Sequence, residues 1–239
     1  MIMITSISTY DTKQFFYTTL KLSVIIQIIT GIIEVISVFF AQNTPPRYYV
    51  INHLLYLELC VQIIEGLFYI WLVYNFNNVT NVTPKRYIDW AITTPTMLIT
   101  LMVYLIFLGY KHTNIDTTSM TLFRTLTENL STVSKIITLN WLMLLFGFLG
   151  EVKLISTGLG VFMGFIPFLI YYYIIYYKFA SQSDTGLKIF WYFFFFWSIY
   201  GIVALLPYNL KNAIYNILDL FAKNFFGIFL SYIVILRKY

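Results

Sequence analysis

The sequence predicts an all-α membrane protein, a bundle of seven transmembrane helices, and three observations carry that expectation. Hydrophobic residues make up 59% of the 239 residues and aromatic residues 21%. Charged residues make up only 10%, whereas about a quarter of a soluble domain is charged. The apolar residues also gather into stretches that meet or approach the roughly 20 needed to cross a bilayer. Polar or Pro-bearing breaks divide the chain into seven of them, at approximately 14–41, 48–74, 84–110, 132–150, 156–180, 185–207 and 209–236. Residues 1–239 therefore read as one seven-helix domain, and function belongs inside the bundle.

Each break has a local cause. Thr44-Pro45-Pro46-Arg47 stops the first helix, because Pro has no N–H to donate and pushes the preceding residue out of the helical region. Asn75 to Pro84 is a polar loop whose Pro is suited to the first turn of the third helix. His112 to Thr127 is the longest connection, and Ser181 to Gly186 and Pro207 to Asn209 are tight turns. No internal repeat is evident. Met1 to Tyr10 lacks the basic start of a cleaved signal peptide, so insertion is expected to rely on the first helix.

Charge sets the expected orientation, since short cytoplasmic loops accumulate Lys and Arg. With the N-terminus outside, the inner ends carry Arg47, Lys111, Arg124, Lys135, Lys178, Lys188, Arg237 and Lys238. The outer ends carry fewer: Lys13, Lys21, Lys85, Lys153 and Lys211. The bias favours an outer N-terminus and an inner C-terminus, which puts the Asn78-Val79-Thr80 sequon outside. The net charge of +5 is mostly this inner girdle and does not indicate nucleic acid. Cys60, alone in an apolar helix, reads as a packing residue, and no disulfide or metal site is implied.

Function begins with Lys223, in the middle of the last apolar stretch, where a bare ammonium is expensive. Asp219 lies four residues earlier, on the same helical face. Two readings fit: an interhelical ion pair, or a desolvated amine suited to condense with an aldehyde as a Schiff base. The third stretch supplies further charge in Arg86-Tyr87-Ile88-Asp89-Trp90-Ala91-Ile92-Thr93-Thr94-Pro95. Arg86, Asp89, Thr93, Thr96 and Thr100 fall at helical spacing on one face. An intramembrane row of this kind is expected to face the bundle interior and meet the charges of the last helix.

Arg-x-x-Asp-Trp-x-x-x-Thr-Thr-Pro on helix three with Asp-x-x-x-Lys on helix seven resembles the microbial rhodopsins. The resemblance implies all-trans retinal joined to Lys223 as a protonated Schiff base, with Asp89 and Asp219 as counterions and Arg86 ordering the outward side. It implies that Trp90 and Trp197 sandwich the polyene, that Tyr200 closes the pocket near Asp219, and that Thr93 and Met97 line it, Met97 at a colour-tuning position. Two departures matter. Thr100 stands eleven positions after Asp89, where outward pumps of the family carry a carboxylate that returns a proton. Gly201 and Ala204 stand where Pro and Trp are common, which implies a looser ring end.

Polar stripes occupy three other helices. Ser23, Gln27, Thr30 and Glu34 share one face of the first, Glu58, Gln62 and Glu65 one face of the second, and Asn212, Asn216, Asp219 and Lys223 one face of the seventh, with Asn224 beside them. Each unpaired carboxylate costs about 2.5–3.5 kcal/mol at this depth, so the stripes are either a hydrated cation path or interhelical glue. Glu58 and Glu65 are about 10.5 Å apart along the axis, room for two gates. Ser23, Gln27, Glu58, Glu65, Asp219 and Asn224 are similar to the pattern of the giant-virus rhodopsins of group one, which implies a light-gated channel for monovalent cations in a host cell membrane. In that reading Glu58 and Glu65 are gate or filter residues, Ser23 and Gln27 line the path with Gln62, Arg86 and Asn216, and Asn224 closes it. Glu34 lies outside the matched set and is placed at the inner vestibule.

An outward proton pump, with Glu58 or water in place of the missing donor, is the alternative, and a sensory photoreceptor is the third reading. The short inner loops offer a signalling partner little surface. No catalytic motif is present, so an enzyme is not expected. His53 reads as pairing locally and His112 as a loop residue. Phe193 to Phe196 read as lipid-facing and packing surface. The resemblance also implies homo-oligomers, for which no interface is legible.

Overall fold

A computed structural model of the chain describes residues 2–238, with side chains from Asp11 to Lys238. The reading of Met1 to Tyr10 as lacking a basic leader concerns side chains outside the described residues. The helices are α1 (Ile2–Ala41), α2 (Tyr49–Asn75), α3 (Thr83–His112), α4 (Leu122–Glu128), α5 (Leu130–Glu151), α6 (Thr157–Lys178), α7 (Asp184–Val203), α8 (Tyr208–Asp219) and α9 (Phe225–Ile235). Seven spans among the described residues are long and apolar enough to cross a membrane, the seventh formed by α8 and α9 together. The expected boundaries hold to within four residues, apart from the start of the first helix, which extends to Ile2. The long connection contains an unexpected short helix, α4, capped by the Thr121 side chain at the N–H of Arg124.

α3 is the centre of the bundle, buried over 72% of its most apolar window. Its interior Pro95 removes the hydrogen bond that would reach the carbonyl of Ala91. The indole Nε1 of Trp141 on α5 donates to that carbonyl at 3.0 Å, so the break is satisfied from a neighbouring helix. The seventh span is interrupted in a similar way. Leu220–Asn224 forms a π turn, and Tyr192 Oη on α7 donates to the carbonyl of Phe221 at 2.8 Å. Such turns free backbone groups inside an otherwise regular helix, and here the turn contains Lys223.

α5 and α6 cross closely because glycines line the crossing. A Cβ built at Gly160 would lie 2.7 Å from the carbonyl oxygen of Phe146 and 3.1 Å from Cα of Gly150. The inner aromatic core, from Phe168, Tyr171 and Tyr172 to Phe190 and Phe193, lies between α6 and α7. Phe195 points outward while Phe193 is buried, so the Phe run divides between lipid and core as expected. Cys60 differs from its expectation: it is exposed, because the opposite face of α2 is taken by Glu58, Gln62 and Glu65. His53 pairs locally, its Nδ1 accepting from the N–H of Leu122 at 3.5 Å, and His112 ends α3.

Replacing Gly160 by Val overpacks a backbone contact that cannot yield. The expected loss is about 1–3 kcal/mol, read as a melting temperature lowered by several degrees in the purified protein.

Candidate functional site

Lys223 gathers three carboxylates from three elements. Its Nζ lies 2.8 Å from Asp89 Oδ2 on α3, 3.4 Å from Glu65 Oε1 on α2 and 3.8 Å from Asp219 Oδ1 at the end of α8. All four side chains are at most 5% exposed, so they are held apart from solvent screening. The sequence places Asp89 and Asp219 beside the amine and assigns Glu65 to a path. In the fold Glu65 belongs to the amine's own surroundings as well.

Arg86 is the second buried cation. Its Nη1 lies 3.4 Å from Asp219 Oδ2, its Nε donates to Asn212 Oδ1 at 3.0 Å, and its Nη2 donates to Asn216 Oδ1. Two phenols complete the shell of Asp219: Tyr69 donates to Oδ2 at 2.5 Å and Tyr200 to Oδ1 at 2.7 Å. The two aspartates therefore differ in kind. Asp219 is bonded at both oxygens, whereas Asp89 Oδ1 has no partner and retains acceptor capacity next to Lys223.

The expected face of α3 holds for Arg86, Asp89, Thr93 and Thr100, which are buried. Thr96 departs from it, being half-exposed with its hydroxyl returned to the carbonyl of Ile92. Thr93 is buried beside Asp89, but its hydroxyl donates to the Asp89 carbonyl, one turn back, at 3.0 Å.

From Lys223 an apolar cavity extends between α3, α5, α6 and α7. It is lined by Trp90, Met97, Trp197 and Tyr200, four of the five pocket residues that the resemblance implies, and by Phe165 and Phe168 among others; Thr93, the fifth, is not in the lining, where Thr94 stands instead. Trp90 is held edge-on by Tyr200 and Tyr215, with ring centroids 5.8 and 5.2 Å apart. The expectation of a looser end at Gly201 is corrected at that residue: the ring of Phe165 takes the space, 2.7 Å from where a Cβ would stand. Thr94, beside the cavity, accepts a hydrogen bond from Asn140 Nδ2 at 2.8 Å.

The three polar stripes converge. Ser23 Oγ donates to the carbonyl of Asn216 at 3.1 Å. One layer on, Gln27 Nε2 donates to Asn224 Oδ1 at 3.2 Å, and Asn224 Nδ2 donates to Gln27 Oε1 at 3.1 Å and Gln62 Oε1 at 2.9 Å. Gln62 Nε2 closes the set on the carbonyl of Gln27 at 2.7 Å. Beyond this amide layer stand Glu34 and Glu58, the latter facing Thr100. Sequence reasoning missed Tyr69 and Asn140. Tyr69 was findable, since it follows Glu65 by four positions and extends the same stripe. Asn140 sits alone in an apolar helix and carries no spacing signal.

Tyr69→Phe removes a buried hydrogen bond to a charged carboxylate. The expected cost is about 1.5–3 kcal/mol, measured as reduced stability in thermal unfolding, with Tyr200→Phe as the comparison.

The family model described as "Bacteriorhodopsin-like protein" matches residues 18–236. Among solved structures, viral rhodopsin OLPVRII is similar over 94% of this chain and 99% of its own, with 27% identity and a TM-score of 0.77. A blue light-absorbing proteorhodopsin from Med12 matches at 21% identity, covering 94% and 98% of the two chains, with a TM-score of 0.69. Xanthorhodopsin, described as a light-driven ion pump with dual chromophore, matches at 18% identity over 94% and 93%, with a TM-score of 0.70; these last two bear on the fold alone. No curated protein matches the chain. With a match across nearly all of its length and an amine set among carboxylates at the end of an aromatic cavity, the chain belongs to the bacteriorhodopsin-like family, which implies a retinal chromophore.

Proposed function

We propose that the protein is a retinal-binding, light-gated channel for monovalent cations, with Lys223 Nζ as the attachment point of all-trans retinal. The observation that carries this reading is the buried polar seam between α1, α2 and the seventh span. Ser23, Gln27, Glu58, Gln62, Glu65, Asn216 and Asn224 are all less than a tenth exposed, and the first five come from helices whose outer faces are apolar. A core without a transport role has little use for so many desolvated carboxylates and amides.

The residues fit the chromophore. A primary amine stands at one end of an apolar, aromatic-lined cavity, and Asp89 Oδ1 is buried without a partner beside it. Bound there, retinal supplies light-driven isomerisation and with it a displacement of charge. Trp90 and Trp197 hold the faces of the cavity, and Phe165 and Met97 bound it and exclude water. Asp89 Oδ2, in contact with Nζ, is placed to take its proton, while Asp219 stays fixed by Arg86, Tyr69 and Tyr200. Loss of charge at Nζ weakens its hold on Glu65 and Asp219. The neighbouring Asn224 then has reason to leave Gln27 and Gln62, which opens the amide layer to water and cations. Glu58 and Glu65, one on each side of that layer, act as the acidic gates.

The second reading is an outward proton pump, and one observation favours it. Glu58 stands across from Thr100, on the level where pumps of the family carry their proton donor. The Asp89–Lys223 pair is compatible with this reading as well.

The light-induced current in retinal-supplied cells separates the two. A current that reverses sign with voltage, at a potential that follows the cation gradient, is expected; a current that stays outward at all voltages would make the protein a pump. Glu58→Gln and Glu65→Gln are each expected to change conductance or selectivity while the pigment stays coloured, and unchanged photocurrents in both would remove the gate assignment. Lys223→Ala is expected to abolish visible absorption, which a spectrum after reconstitution with retinal checks.

A further inference from the structure

A second cavity opens at the C-terminal end of α3 and stops short of Glu58. Its mouth is charged: Lys111, His112, Asp184 and Lys238 border it and are exposed. Its floor is formed by Ile51 on α2, Tyr104 on α3 and Phe229 on α9. Glu58 follows Ile51 by seven residues, about 10.5 Å along α2. Because α3 runs antiparallel to α2, that distance brings Glu58 level with Thr100, which it faces. Thr100 precedes Tyr104 by one turn on the same face, so the cavity and Glu58 stand on opposite sides of the Tyr104 ring.

The layer between them is packed and apolar. Tyr104 stands edge-on to Phe226 and Phe229, with ring centroids 5.8 and 5.7 Å apart. On α2, Leu54 and Leu55 fill the turn between Ile51 and Glu58 and belong to the same buried cluster. Tyr104, Phe226 and both leucines are at most 4% exposed. The α1 side is closed differently. There the Glu34 carboxyl lies against the bare backbone of Gly227. Nearer the surface, Asn52 Nδ2 donates to the carbonyl of Ala41 at 2.8 Å and Thr44 Oγ1 donates to Asn52 Oδ1 at 2.9 Å. Hydrogen bonds fix that corner, whereas ring contacts close the α3 side.

The parting of the amide layer joins the carboxylates around Lys223 to Glu58 but leaves Glu58 walled off from this cavity. A route that ends at Glu58 carries nothing, so a second closure must yield. A constriction of packed apolar side chains excludes water while shut and admits it once the side chains separate.

We propose that Tyr104, with Phe226 and Phe229, is a second gate, through which Glu58 exchanges cations, the proton among them, with the water of this cavity. Phe226 follows Lys223 by three residues, which ties the gate to the turn that carries the amine. The proposal rests on Glu58 lying on the transport route. It is read as chemical access and the channel as current, so the failure of one is distinguishable from the failure of the other.

The test uses purified, retinal-loaded protein in which Cys60→Ser removes the single native thiol and Thr100→Cys supplies a new one. A methanethiosulfonate with an ethylammonium group is added, and the modified fraction is followed by mass spectrometry. Modification is expected to be slow in the dark and at least about tenfold faster under continuous light. Adding Tyr104→Ala is expected to give a comparable acceleration in the dark. Ser23→Cys, beyond the amide layer, reports general loosening, and its dark rate is expected to stay unchanged by Tyr104→Ala. Should Tyr104→Ala fail to take up retinal, Phe229→Ala, which widens the same layer, replaces it. Rapid dark modification with Tyr104 intact would overturn the proposal. So would a rate at position 100 unmoved by light, a rate unmoved by the alanine variant, or a matching acceleration at Ser23→Cys.

Discussion

The balance of charge around Lys223 is the constraint on which the rest of the structure depends. An ammonium group buried in the middle of a membrane bundle is tolerated only where opposite charge is fixed close by. Here three carboxylates from α2, α3 and α8 meet it within 4 Å. Arg86 then balances what Lys223 leaves over, and its guanidinium is anchored by Asn212, Asn216 and Asp219. Together these contacts tie the second, third and seventh spans to one another, so the register of each of these helices against its neighbours is set by electrostatics as well as by packing.

The same economy explains the irregular backbone. Pro95 and the π turn at Leu220–Asn224 both open a regular helix beside the amine, and both freed carbonyls receive a side-chain donor, from Trp141 and Tyr192. With no water in a bilayer core to accept or donate, such breaks persist only where a neighbouring helix repairs them. They also place the cavity lining: the break on α3 lies between Trp90 and Met97, and the turn in the seventh span carries Ala222 and Lys223.

The polar seam is layered. Ser23 and Asn216 form one level, the amides of Gln27, Gln62 and Asn224 the next, and Glu34 with Glu58 the last. Antiparallel spans produce this order, since α1 and the seventh span run one way and α2 the other. The amides are the close-fitting level, each bonded to the others, whereas the carboxylates on the Gly227 side keep oxygens without partners. In the proposed gating, opening the middle level joins the carboxylates around Lys223 to Glu34 and Glu58 in one path.

The sequence by itself determined the number of spans, their approximate ends and the face each presents, because bilayer thickness and helical period act locally. It also determined the partners of Lys223 on α3 and α8, since Arg86-x-x-Asp89 and Asp219-x-x-x-Lys223 are legible as spacings. The tertiary structure alone decided that Glu65 joins that amine, that Tyr69 joins Tyr200 at Asp219, and that Phe165 fills the space beside Gly201. It also decided that Glu34 lies in the groove of Gly227 and that Cys60 faces outward. Each of these depends on how one helix is rotated and shifted against another, which no periodicity within a single helix records. The π turn belongs with them: its sequence, Leu-Phe-Ala-Lys-Asn, carries no breaker, and its freed carbonyl at Phe221 is repaired by a tyrosine from another helix.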